Sequence, residues 1–313
     1  MRRLAIVPSE VAALWPLQPT AGRFEVVGDD DIRFIPRFPF VAGTPYSLLV
    51  DGAEVARVVA PPARAAESTH VVAIYPTARE VPLNLLKVYI RFSAPMSEGW
   101  AARAVQVHRA DDGQALEGVF LPAEPELWDP GRRRLTLLLD PGRIKRGLAP
   151  HEQLGYPLQE GRPIAVRVDR SFRDASGVPL LCGVERRYEV GPAVRRHITP
   201  SDWSIHPPSA QSTDPLRVDF DRPLDRALLE HALTVVDPHG GGLDGAVTIA
   251  EGERSWSFTP LRPWRATPYR LAVDARLEDL AGNSLTRVFD RDLSRAQDTP
   301  LEIKQAHVPI RPR

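Results

Sequence analysis

The stretch FTPLRPWRATPYRLAVD, residues 258–274, has a varied second copy in this chain. Residues 34–51 read FIPRFPFVAGTPYSLLVD, with one additional residue, Gly43, ahead of the shared Thr-Pro-Tyr. A looser third copy spans residues 138–169. After the Thr-Pro, Tyr269, Leu271 and Val273 alternate with Arg270, Ala272 and Asp274. A period of two gives a strand with one apolar face. Tyr46, Leu48 and Val50 repeat the pattern, as do Ile164, Val166 and Val168. Pro45, Pro163 and Pro268 precede these strands, where a missing N–H costs the ladder least. Trp256-Ser257-Phe258 and Ile32-Arg33-Phe34 also alternate, so the unit reads as two strands joined by a Pro-rich connection.

The tyrosine at the strand entrance has two readings. It anchors the preceding loop through its hydroxyl, as the tyrosine corner of a β-sandwich does, or it packs as an ordinary core residue.

Composition agrees with an all-β chain. Of 313 residues 32 are proline, about twice the usual share, and the apolar runs are short. Both features favour strands and turns over long helices. The length suits two or three domains. Forty basic residues balance forty acidic ones, leaving no global field to attract nucleic acid or an anionic membrane. No run is long and apolar enough for a membrane span, and the four-residue apolar run after Met1-Arg2-Arg3 is shorter than a signal-peptide core. A single cysteine, Cys182, forms no disulfide within the chain and is expected to be buried in the run Pro179-Leu180-Leu181-Cys182.

Taken in order, residues 1–66 form a small unit whose second half carries the repeat. Its earlier strands are expected at Leu4, around residues 11–14, and at residues 24–27. Asp29-Asp30-Asp31 reads as a solvated turn, and residues 61–66, PPARAA, as a linker. Residues 67–194 form a second unit. Leu86 to Phe92 is a strand, Ser97 is positioned to cap a helical turn, and Asp111-Asp112-Gly113 turns a hairpin. Residues 195–297 repeat that order, with a short helix after Asp225. Residues 298–313 are expected to be a tail outside the repeat, with Leu301, Ile303 and Val308 able to add an edge strand elsewhere.

Assembled this way, the units resemble the bacterial Ig-like repeat of the surface-layer SbsA type. The marks are a strand ending Phe-x-x-Pro-Met/Leu (Phe92 to Met96, Phe220 to Leu224), a hairpin with glycine, a Phe-x-Pro strand, and Asp279-Leu280-Ala281-Gly282-Asn283-Ser284-Leu285. The resemblance implies tandem immunoglobulin-like β-sandwich domains preceded by a smaller related N-terminal β unit. It also implies an extracytoplasmic spacer or binding module rather than an enzyme.

Motifs that carry chemistry are few. His239-Gly240-Gly241-Gly242 looks like an oxyanion loop, but no Gly-x-Ser-x-Gly turn supplies a nucleophile, and it falls at a hairpin position. No Walker loop, dinucleotide fingerprint or His-Glu-x-x-His pair occurs, so neither cofactor nor metal is expected. Asp169 with Asp174, and Asp274 with Asp279, recur at one spacing. Recurrence favours turn capping over calcium or acid–base work. The best candidate site is the insertion at residues 142–156. Arg143, Lys145, Arg146, His151, Glu152 and Tyr156 lie there, on a loop suited to a protein or carbohydrate partner. The alternative is an enzyme site at a domain junction using His151 and Glu152.

Overall fold

The computed structural model describes residues 3–14, 19–27, 31–37, 40–41, 43–60, 68–293 and 302–313. Asp29, Asp30, the linker at residues 61–66 and Leu301 lie outside them. The chain divides into two compact units, Met1–Ser68 and Thr69–Arg313.

The second unit holds two immunoglobulin-like sandwiches. In the first of them, one sheet has the order Leu127–Trp128, Arg134–Leu138, Lys87–Phe92, Val71–Tyr75. The facing sheet has the order Ala115–Leu116, Val105–Arg109, Ile164–Val168, Val184–Gly191, Glu80–Pro82. Only the last pairing is parallel. The two layers and their strand order are those of an immunoglobulin domain, with the first strand split between the sheets. The next sandwich repeats the plan. Ser204–His206, Leu216–Asp219, Ser255–Pro260 and Gly245–Ile249 form one sheet, and Leu233–Val236, Tyr269–Asp274 and Gln305–Ile310 the other. Gln305–Ile310 pairs with Tyr269–Asp274 along its whole length. The segment expected to be a tail therefore completes this sandwich. Exposed Gln305, His307 and Pro309 alternate along it with Ala306, Val308 and Ile310, of which only Ile310 is fully buried.

The repeated stretch turns out to be a crossing between sheets. Ser255–Pro260 pairs in one sheet and Tyr269–Asp274 in the other. The connection carries an aromatic ladder: Phe258 meets Trp264 at 6.1 Å and Trp264 meets Tyr269 at 5.2 Å. Phe34, Phe40 and Tyr46 repeat it in the first unit, at 6.1 and 4.3 Å. Each ladder starts on a Phe ring lying over a glycine of the neighbouring strand. A Cβ on Gly245 would come within 2.5 Å of the Phe258 ring, and one on Gly22 within 2.4 Å of Phe34. Gly245 faces Pro260 and Gly22 faces Pro36, so both glycines sit at one register position. Any side chain there would push the ring out of the core.

Both tyrosines are corners. The Tyr269 hydroxyl accepts the Arg265 N–H at 3.0 Å, and the Tyr46 hydroxyl accepts the Val41 N–H at 3.0 Å. Tyr269→Phe keeps the buried ring and loses only this bond. It is expected to destabilise by about 1 kcal/mol in urea unfolding. A change near zero would reduce Tyr269 to plain packing.

The first unit pairs Leu4–Pro8, Pro45–Val50 and Ala53–Val59 in one sheet and Gly22–Val27 with Asp31–Pro36 in another. Ala5, Val7 and Leu49 are its buried centre. Ser9–Leu14 is a 3-10 helix rather than a strand. Two further expectations are corrected. Ser97 caps no helix; its hydroxyl donates to the Asp174 carbonyl, and Ala101–Ala104 starts after Trp100 without a side-chain cap. Cys182 is exposed, because in its run only Leu180 turns into the core.

The two sequence marks of each sandwich touch each other. Met96 bridges to Asp174 and Leu224 to Asp279. The Asp174 carboxylate accepts the N–H groups of Ser176 and Val178, and Asp279 those of Ala281 and Asn283. Both aspartates thus cap turns by one geometry, and Asp237 does the same for the His239-Gly240-Gly241 turn.

Candidate functional site

The insertion begins with Asp140, whose side chain accepts the Gly142 N–H and caps the short helix Pro141–Ile144. Ile144 is wholly buried and pins that helix to the core. A second helix, Ala149–Leu154, follows. Arg143 is spent inside the loop, donating to the carbonyls of Gly118, Gly155 and Tyr156 at 2.9–3.1 Å. His151 Nδ1 lies 2.6 Å from the Arg143 carbonyl, and its ring meets Tyr156 edge-on at 4.7 Å. These two residues stiffen the loop.

Lys145, Arg146 and Tyr156 face the next sandwich. Lys145 Nζ sits 4.5 Å from the centre of the Phe289 ring. Burial there, with Arg287 and Arg291 near, holds its pKa below the ordinary lysine value. Arg146 Nε donates to Asp290 at 3.3 Å, and the Tyr156 hydroxyl donates to the same carboxylate at 2.9 Å. Arg195 from the connection donates to Asp290 at 2.8 Å and to the Tyr156 oxygen at 2.6 Å, and Asn84 donates to Asp290 at 3.1 Å. Asp290 is fully buried. Burial raises the Tyr156 pKa, and its bond to Asp290 adds to this. Only Glu152 is exposed among the six. The loop packs as a buttress between sandwiches, and His151 bonds the Arg143 carbonyl rather than Glu152.

Sequence reasoning missed the rest of this junction. Glu253 sits in the turn before Ser255–Pro260, at a backbone φ of +51°. Arg132 holds the equivalent place in the preceding sandwich, also at +51°. The Arg132 side chain is exposed. Glu253 is fully buried, and its carboxylate accepts the N–H groups of Thr77 and Ala78 and the Thr77 hydroxyl at 2.5–3.1 Å. Thr77 in turn accepts the Gly252 N–H, and its carbonyl accepts a bond from Arg186.

A third cluster joins Lys87 to Glu278 at 2.5 Å and to Asp225 at 3.3 Å, while the Tyr89 hydroxyl donates to Asp225 at 2.7 Å. Burial opposes the Lys87 charge, but the two carboxylates outweigh it and raise its pKa above the ordinary lysine value. Burial, with Asp225 beside it, raises the Tyr89 pKa strongly. Lys87 therefore stays cationic and Tyr89 protonated near neutral pH. Neither is poised for proton transfer or nucleophilic attack. Between these clusters the Leu86 N–H donates to the Leu280 carbonyl, and Leu280 packs into the core of the earlier sandwich. Gly282, at φ +77°, leaves room for Leu86, which a Cβ would approach to 2.3 Å.

Among the described residues no three His, Cys, Asp or Glu side chains gather as a metal site. No helix among them is long and apolar enough to cross a membrane.

No family model and no curated protein matches the chain. Solved structures similar to it include domains 1–6 of the surface-layer protein SbsC, at 7% identity and a TM-score of 0.29, over 80% of this chain and 41% of that one. An Escherichia coli alpha-2-macroglobulin fragment spanning domains MG0-NIE-MG1 aligns at 11% identity and a TM-score of 0.26, over 80% of this chain and 91% of that one. The titin z1z2 domains, solved in complex with telethonin, align at 9% identity and a TM-score of 0.21, over 79% and 96%.

Proposed function

We propose that the chain is a non-catalytic structural and binding module, built of Ig-like repeats akin to the SbsA type and working outside the cytoplasm. Residues 69–194 and 195–313 are its two full domains, locked as one body that offers its outer surface to a protein or glycan partner. The observation that carries this reading is how the charged residues at the junction are used. Asp290, Glu253 and the Lys87 cluster all bond across the two sandwiches, and each is held by structural partners. Buried polar networks of this kind fix one arrangement of two surfaces. The junction-enzyme alternative draws no geometry from His151 and Glu152, since the first is tied to the loop backbone and the second is exposed.

Nitrogen-15 relaxation of the full chain tests the rigidity. Amides of the two sandwiches are expected to report one rotational correlation time. Two different times would mean a flexible tether and would remove the basis of the reading. Saturable binding to one class on glycan and surface-protein arrays would then identify the partner.

A further inference from the structure

We propose that the cleft between the two sandwiches, beside the strand Lys87–Phe92, binds a small oxyanion. This goes beyond the module reading, because it gives the junction a ligand as well as a structural task. The cleft has a volume of about 180 Å³ and is lined by Tyr75, Tyr89, Arg91 and Arg134 on one side and Arg226 and Glu230 on the other. Arg133 and Asp129 complete its rim. Four guanidinium groups thus face two carboxylates. One oxygen of Asp129 is already engaged, accepting the backbone N–H groups of Arg133 and Arg134 at 2.7 and 2.8 Å. Glu230 stands 3.7 Å from both Arg134 and Arg226, which is an ion pair but too long for a hydrogen bond.

The donors are left short of acceptors. The Nε atoms of Arg134 and Arg226 are buried with no hydrogen-bond partner. Such donors are costly, and in native proteins they call for an explanation. The aromatic rings hold the guanidinium planes in place: Arg226 lies 5.2 Å over Tyr75 and Arg134 5.7 Å over Tyr89. Stacking of this kind fixes an arginine without using its N–H groups; Arg226 spends one on the Ile249 carbonyl at 3.1 Å and Arg133 one on the Ser93 carbonyl at 2.7 Å, and the others are open to planar, bidentate recognition of an oxyanion. Arg91 is exposed at the mouth, and no hydrogen bond engages its side chain among the described residues. The cavity is below the range of about 300–1,000 Å³ that encloses a drug-sized molecule. It suits one carboxylate, sulfate or phosphate group, either free or carried on an acidic sugar. Glu230 would shift toward one arginine as the anion takes the other.

Titration calorimetry of the full chain tests this, with sodium sulfate and sodium glucuronate as probes and chloride holding the ionic strength constant. Saturable binding of one equivalent is expected for at least one probe. Arg91→Glu is expected to weaken it about tenfold or more, and Arg226→Gln to weaken it as well. Because the Arg91 side chain makes no hydrogen bond among the described residues, Arg91→Glu is expected to melt like the parent in chloride alone, so lost binding is not lost folding. Equal binding of both probes assigns the site to a bare oxyanion, and glucuronate alone assigns it to a sugar carboxylate. No saturable heat from either probe, or parent-like binding by Arg91→Glu, overturns the proposal. Neither result would bear on whether the two sandwiches tumble together, which the relaxation experiment reads separately.

Discussion

Asp290→Ala is expected to lower the stability of the two-sandwich unit by about 3 kcal/mol. The side chain is fully buried and accepts from Arg146, Arg195, Tyr156 and Asn84. Removing it leaves two arginines facing each other without their counter-charge. The penalty is held near the lower end of the range for broken buried pairs because each arginine side chain is 37% exposed and regains some water. Urea unfolding followed by tryptophan fluorescence measures the loss. Asp290→Asn should recover part of it, since an amide oxygen still accepts one or two of the four bonds. Equal stability of Asp290→Ala and parent would show that the buttress loop holds nothing together.

Glu253→Ala is the second large effect, again about 3 kcal/mol or more, and it acts at a different contact. Here the carboxylate is 0% exposed and its partners are backbone N–H groups, which cannot rotate away to find water. Two donors of the turn at Thr77 and Ala78 would be left buried and unpaired. Alanine also keeps the strained φ of +51° without the bonds that hold it there. Glu253→Gly separates the two terms, because glycine relieves the strain while losing the same bonds. It should therefore be less destabilised than Glu253→Ala. Calorimetry offers a further readout: a single transition in the parent is expected to split into two as the sandwiches uncouple. A Glu253→Ala protein that melts like the parent in one transition would refute the assignment.

Much of the fold was legible from local pattern. Alternation located Lys87–Phe92, Ile164–Val168 and Tyr269–Asp274, since their large apolar side chains recur at every second position even though both faces are largely buried. The Phe-x-x-Pro and Asp-x-Ala-Gly-Asn marks were also visible, and the structure gives their reason, because Leu224 and Asp279 bridge. What alternation cannot show is which sheet a strand joins. The repeated stretch therefore read as two neighbouring strands, when its purpose is to cross from one layer to the other. The tail reads as able to add an edge strand elsewhere, but not as the closing strand of the last sandwich, because one fully buried side chain says little about which sheet it joins. The 142–156 loop was found as an insertion rich in charge, but not its partners. Arg146 and Asp290 are 144 residues apart, and Thr77 and Glu253 are 176 apart. No local period encodes a contact at that separation. The one available hint was the repeat itself: comparing equivalent turns sets Glu253 against Arg132, a reversal of charge at a matched position.

That reversal gives the array a direction. A duplicated copy of the last sandwich would set its glutamate against the turn Pro200–Asp202, with the Asp202 carboxylate near it, instead of the turn at Thr77 and Ala78. The earlier copy placed last would drive the Arg132 guanidinium into a pocket shaped for an anion. The modules descend from one plan, yet they are no longer interchangeable bricks. Shuffling them should yield loosely strung domains, and lengthening the array would require a new glutamate and a new receiving turn to appear together.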